Sequence, residues 1–218
     1  MASVVAELRK LGSQKTRNEM VSRYAIPSDH AFGVPMAKMQ AIAKRLRGPD
    51  ARRNHELALA LWKARWYEAR TVAALVDEPA LVTAAQMDAW RRDFDSWAIC
   101  DTVCFKLFDQ TPHAVRKMGP WCRGREEFAR RAGFALIACV ALHNKSAPDA
   151  ALLKTLPLIE EGARDERNFV KKAVSWALRS VGRRPSLKPA ARDLAKRLSE
   201  SADATARWVG RDALQGLK

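Results

Sequence analysis

Cysteine is scarce in this chain. The four cysteines among 218 residues, Cys100, Cys104, Cys122 and Cys139, sit inside apolar, helix-like runs rather than in turns. Free cysteine in such a setting behaves as a small buried hydrophobe, so no disulfide framework is expected and a reducing, cytoplasmic setting is. Cys100 and Cys104 have neither a second close cysteine pair nor a His-x-x-x-His partner to complete four metal ligands, so no metal is expected. Long apolar runs are missing as well. No stretch approaches the roughly 20 residues of a membrane span, and Glu7, Arg9 and Lys10 interrupt the first eleven residues, which denies them a signal-peptide core. The chain reads as soluble and unexported. No alternating Val/Ile/Thr segment is bounded by hairpin turns, which argues against strands. Gly-x-Gly-x-x-Gly and Gly-Lys-Ser/Thr loops are absent, which removes nucleotide-driven chemistry. His113 and His143 have no Ser or Cys in a nucleophile context, so a hydrolase triad is unsupported. Phe, Trp and Tyr make up only 7% of the chain, few for an RNA-binding repeat protein that stacks several bases.

Positive charge is plentiful. Lys and Arg number 39 against 24 Asp and Glu, a formal net charge of +15. The basic residues are interleaved with apolar ones rather than gathered in low-complexity runs, so the charge sits on a folded surface and a polyanion partner is the natural inference.

Ala and Leu dominate, and apolar residues recur at helical spacing, as in Val170, Ala173, Val174, Ala177 and Leu178. The length fits a single domain, 1–218. Breaks fall at Pro27 to Gly33, Gly48-Pro49, Glu78-Pro79, Thr111-Pro112, Gly119-Pro120, Ala147-Pro148, Arg184-Pro185 and Ser201 to Asp203. Ser96, Ser201 and Asp203 are candidate N-caps. Four segments, Arg70 to Leu75, Arg131 to Leu136, Lys172 to Leu178 and Trp208 to Leu214, each set an Ala-Leu pair after basic or bulky residues, the pairs beginning at 74, 135, 177 and 213 with gaps of 61, 42 and 36. These gaps fit a helical-pair repeat if the first hides one unmarked repeat near Asp101. The expected fold is all-α, a curved superhelical stack of HEAT-like antiparallel helical pairs whose inner helices line a concave surface.

Three segments could carry chemistry. In Phe94 to Cys104, Trp97 and Asp101 stand four residues apart and project from one helix face. An indole there can exclude water and face a cation, while the carboxylate stabilises developing positive charge. Read alone, Trp97 could equally be core and Asp101 a cap or a partner for a lysine. The second segment, Glu126 to Ala132, opens a helix with acids and places Arg130 and Arg131 one turn in, where either could grip a phosphate. In the third, Lys172 and Trp176 are four apart and Arg179 lies one turn beyond, so basic residues frame an aromatic.

Together these segments resemble the AlkD-like DNA alkylation repair family, whose members carry Trp-x-x-x-Asp on one inner helix, a later Arg-Ala helix start, and Phe-Ile/Val-x-Lys-Ala-x-x-Trp. Here they read Trp97-Ala98-Ile99-Cys100-Asp101, Arg130-Arg131-Ala132 and Phe169 to Trp176. Arg23-Tyr24, Phe32-Gly33-Val34-Pro35 and Trp66-Tyr67-Glu68-Ala69-Arg70 extend the likeness over nearly the whole chain. Ala98 stands where the family often has an acid, and a competing register would align the motif acid with Cys104. Asp101 is preferred because it keeps the four-residue step from a Trp.

The resemblance implies a monofunctional DNA glycosylase that removes cationic N3- or N7-alkylpurines from double-stranded DNA as a monomer, without a cofactor and without flipping the base. It would be cytoplasmic and associated with the nucleoid when bound to DNA. The implied roles are Asp101 as catalytic carboxylate, Trp97 and Trp176 flanking the deoxyribose, Arg131 on the backbone phosphate, and Tyr24 lining the cleft, with Arg130, Lys172 and Arg179 on DNA. The alternative is a non-catalytic HEAT-like repeat protein that binds damaged or branched DNA, or a protein partner.

Overall fold

Helix starts are set locally by short polar side chains. Ser13, Asp50, Thr83 and Asp203 each accept a hydrogen bond from a backbone N–H in the first turn that follows, satisfying donors the helix itself leaves unpaired. The structure, a computed structural model, describes residues 2–217.

Its helices are α1 (Ala2–Leu11), α2 (Gln14–Tyr24), α3 (Met36–Leu46), α4 (Ala51–Lys63), α5 (Tyr67–Val76), α6 (Ala84–Arg92), α7 (Trp97–Lys106), α8 (Ala114–Cys122), α9 (Glu127–His143), α10 (Asp149–Leu153), α11 (Leu156–Gly162), α12 (Asn168–Val181), α13 (Lys188–Ser199) and α14 (Ala204–Gly216). A 3-10 turn, Phe108–Gln110, follows α7. Among the described residues there is no strand, and no helix is long and apolar enough to cross a membrane.

The helices form two rows. In one, α5 packs on α7, α7 on α9, α9 on α12 and α12 on α14. The other row backs it: α3 and α4 on α5, α6 and α8 on α9, α11 on α12 and α13 on α14. This is the curved stack of HEAT-like pairs that the repeat spacing predicts. The four marked Ala-Leu segments fall on α5, α9, α12 and α14, all in the first row, and the unmarked repeat is α7. One hydrophobic cluster runs from Val4 to Leu217.

The middle of the stack is α9, buried continuously from Arg131 to Ala141. Its small residues let neighbours approach closely: a Cβ at Gly133 would lie 2.4 Å from the backbone nitrogen of Cys122 on α8. Leu136 and Ile137 are fully buried, each contributing on the order of 1.5–3 kcal/mol.

Two local expectations change. Gly119-Pro120 does not break the chain: α8 runs through Pro120 to Cys122, with buried Trp121 and Cys122 packing its last turn in place. Ser96 occupies the N-cap position of α7 with extended backbone, but its hydroxyl makes no capping bond. Asp203 does cap α14, accepting from the Ala206 N–H at 2.8 Å.

Candidate active site

Trp97 is the first residue of α7 and Asp101 stands one turn further along. Their placement depends on the segment that precedes α3. Glu68, wholly buried at the start of α5, accepts hydrogen bonds from the backbone N–H groups of Phe32, Gly33 and Val34 at 2.7 to 3.1 Å. Gly33 adopts a φ of +80°, and a Cβ there would lie 2.4 Å from the Ser13 carbonyl oxygen, so the turn needs glycine. The anchored segment carries Ile26 and Ala31 into a small apolar cluster with Met20 and Ala98, against which Tyr67 and Trp97 pack. Arg70, also buried, donates to the Asp93 carbonyl and lies within 3.5 Å of Asp93 and 3.8 Å of Asp95. The Phe32–Pro35 and Trp66–Arg70 segments are thus joined to each other, and they build the wall behind the start of α7.

The Trp97 indole N–H donates to the Tyr24 carbonyl oxygen at 2.8 Å. Tyr24 itself ends α2 and is 43% exposed, with the Arg23 guanidinium over its ring. The family resemblance implies that Tyr24 and Trp97 share one cleft, and the two are joined through the tyrosine's backbone.

Asp101 meets Arg131 across the α7–α9 contact. Arg131 Nε donates to Oδ1 at 2.8 Å and Nη2 to Oδ2 at 2.7 Å, a two-pronged bond of the strong kind. The Asp101 side chain keeps 21% exposure and that of Arg131 only 7%. Arg131 Nη1 donates to the Phe169 carbonyl oxygen at the start of α12, so one arginine ties three consecutive helices of the row together. Burial pushes the Asp101 carboxyl above the ordinary aspartate value, against the opposing pull of the Arg131 hydrogen bonds and charge. Burial also works to lower the Arg131 pKa, but the Asp101 carboxylate outweighs it and holds the guanidinium above its usual value. Arg131 is therefore turned inward onto Asp101 rather than outward from the surface.

Arg130 lies 3.3 Å from Asp165, which Arg167 grips at 2.8 and 2.6 Å. The Arg167 Nη1 donates to the Arg125 carbonyl at 2.6 Å, bracing the loop before α9. On α12 the buried face is Val170, Ala173, Val174, Ala177 and Leu178, which leaves Phe169, Lys172, Trp176 and Arg179 along the outer face. Trp176 is half-buried, packed against the main core, and Lys172 is exposed. Trp176 lies two turns, about 10 Å, along α12 from Phe169. Arg179 Nε sits 3.9 Å from Asp212 on α14.

The cysteines are buried and free. Burial pushes their thiols upward, Cys122 to about 12, which suits inert core positions. Among the described residues no group of three or more His, Cys, Asp or Glu is placed to hold a metal ion. His143 Nδ1 pairs with buried Asp109 at 2.5 Å and is edge-on to Phe105.

The site thus contains a carboxylate with fixed orientation and partial access to solvent, an indole one turn before it, and cations beyond it on the next helices. Such a group can stabilise positive charge developing near it and orient a water. The inward arginine and the Glu68 anchor escape sequence reading, since both depend on contacts more than 29 positions apart in the chain.

A sequence-family model described as DNA alkylation repair enzyme matches residues 4–217. A solved structure from a family described as related to the HEAT-like repeat DNA glycosylases, with affinity for branched DNA structures, superposes with a TM-score of 0.78. It is 19% identical, and the match covers 99% of this chain and 94% of that one. No curated protein sequence matches this chain.

Proposed function

The chain belongs to the DNA alkylation repair enzyme family, and from that premise we propose that it is a monofunctional DNA glycosylase, hydrolysing the N-glycosidic bond of cationic N3- or N7-alkylpurines in double-stranded DNA and leaving an abasic site. The observation that carries this reading is the Asp101 carboxylate, oriented by two Arg131 bonds, still 21% exposed, and one turn from Trp97.

The chemistry fits a lone carboxylate. An alkylated purine already bears a positive charge, so when the bond from the ring nitrogen to C1′ breaks, the electron pair returns to the ring and the base leaves neutral, with no general acid. Positive charge then develops on the sugar at C1′ and O4′. Asp101 stabilises that oxocarbenium-like sugar and orients the water whose oxygen adds to C1′, and the water's proton passes to the carboxylate or to solvent. No cofactor is required for these steps. Trp97 and Trp176 flank the sugar and keep it dry, and Tyr24 lines the same cleft. Arg131 is a positioning residue in this reading, because its guanidinium is committed to Asp101 and the Phe169 carbonyl, and the phosphate contact that the resemblance implied for it falls to its neighbours. Arg130, Lys172 and Arg179 add cations along the DNA backbone, whose neutralisation supplies much of the affinity. The protein acts as a monomeric single domain in the cytoplasm, on the nucleoid.

The solved neighbour's affinity for branched DNA supports a second reading, a scaffold that binds DNA without breaking bonds. One assay separates the two. Methylated duplex is incubated with the wild type and with Asp101→Asn, and free 7-methylguanine and 3-methyladenine are measured. Release by the wild type that falls by about 100-fold or more in the variant is expected, the scale for removing one electrostatic stabiliser. Equal release by both, or none by the wild type while it binds DNA, overturns the catalytic reading.

A further inference from the structure

The outer face of α14 repeats the pattern of α12 without belonging to the site. Trp208 is 36% exposed, an open surface on a side chain that is highly buried on average. It borders a hollow of about 370 Å³ lined also by Arg207, Arg211 and Gln215. Lys171 of α12 places its ammonium 5.1 Å from the indole centroid. Asp212, the one acid in the hollow, accepts from the Ser175 hydroxyl at 2.5 Å and lies 3.9 Å from Arg179, so it stands among more cations than it can balance. The surface is continuous with the Lys172–Trp176–Arg179 stripe, because Lys171 and Arg179 on α12 reach Trp208 and Asp212 on α14.

A basic rim alone would serve phosphates. The exposed indole asks for more, since its face is a stacking surface and intact duplex DNA presents only base edges in its grooves. Aromatic faces set among cations are how proteins hold unpaired nucleotides. We propose that the α14 hollow is a second DNA subsite, in which one unpaired base stacks on Trp208 while Lys171, Arg207 and Arg211 hold the phosphates on either side. It would make the protein prefer DNA in which a single-stranded arm or gap adjoins a duplex. The duplex lies along the α7–α12 row and the unpaired arm leaves over α14.

The inference concerns binding and is independent of bond cleavage, so it is tested with lesion-free DNA on the Asp101→Asn background, where no base is released. Fluorescence anisotropy compares a plain duplex with the same duplex bearing a single-stranded arm. The armed duplex is expected to bind about ten-fold more tightly, the scale of one base stacked on one aromatic side chain. Trp208→Ala should erase that difference while leaving plain-duplex affinity within about two-fold, and Trp208→Phe should keep most of it. Equal binding of the two DNAs by the parent protein overturns the proposal. So does an equal loss on both probes in Trp208→Ala, or no loss on either, the last meaning that the indole faces something other than DNA. Matching thermal melts of the Ala and Phe variants show that any difference is not unfolding.

Discussion

Trp97 and Tyr24, 73 positions apart in the chain, are joined by a single hydrogen bond from indole N–H to backbone carbonyl. The bond aims the indole and also moors the end of α2 against α7, so the aromatic beside the carboxylate donates its hydrogen bond to backbone while its ring rests on the Met20, Ile26, Ala31 and Ala98 cluster. Trp97→Phe retains a ring but loses the donor. A loss of about 1 kcal/mol is expected, seen as a fall in melting temperature of roughly 2–4 °C. Trp97→Ala should lower base release by about ten-fold or more through misplacement of the sugar. Release unaffected in both variants would remove Trp97 from the reaction.

The pH dependence of base release follows from Asp101. In the proposed reaction the active form is the carboxylate, and burial raises its pKa, so protonation on acidification begins at a higher pH than for an ordinary aspartate. The acid limb of single-turnover release should lie above that ordinary value, activity being lost as pH falls through it. Arg131→Gln removes the cation that opposes the shift, so the limb should move further up. A profile in which the variant's limb moves down would contradict the role assigned to the pair.

Glu68 offers a test of the scaffold alone. It accepts from three backbone N–H groups at Phe32, Gly33 and Val34, two of them at buried residues. Glu68→Ala leaves those donors without a partner, at about 1–3 kcal/mol each. Thermal unfolding should drop by at least roughly 6 °C, and Glu68→Gln, which keeps one carbonyl acceptor, should fall less. A melt unchanged in Glu68→Ala would show that the segment is held by packing instead.

Lys172 is exposed on the outer face of α12 and has no part in the Asp101 arrangement. Lys172→Ala should weaken duplex binding uniformly across sequences and reduce the slope of log affinity against log salt by about one. Release from fully bound DNA should stay within about two-fold. An unchanged salt slope would take Lys172 off the phosphate path.

Local signals carried much of the fold. An Ala-Leu pair preceded by basic or bulky residues marks four helices of one row, where small and branched residues let helices pack closely, while α7 is unmarked because Ala98-Ile99-Cys100 fills the equivalent turn. The four-residue step from Trp97 to Asp101 was likewise legible, since a helix puts both on one face. What lies in long-range contacts was not. Arg131 looks in sequence like one of two adjacent surface arginines, and only the arrival of α7 and α12 on either side of α9 turns it inward. Glu68 reads as an ordinary acid in a helix's first turn, yet it is wholly buried under a segment more than thirty residues earlier. Trp208 reads as a repeat marker, and nothing in its neighbours shows that its ring stays uncovered.

Arrays of helical pairs commonly gain or lose units at their ends, because each unit touches only those beside it. The Arg131 guanidinium forbids this in the centre, where it is fastened to α7, α9 and α12 at once. Chains of this design are free to lengthen or shorten outside that triple junction, but a unit inserted into it or excised from it would separate the carboxylate from the arginine that orients it. The reaction is therefore expected to stay locked to the same three helices while the flanking ones diverge and change which DNA shapes are gripped.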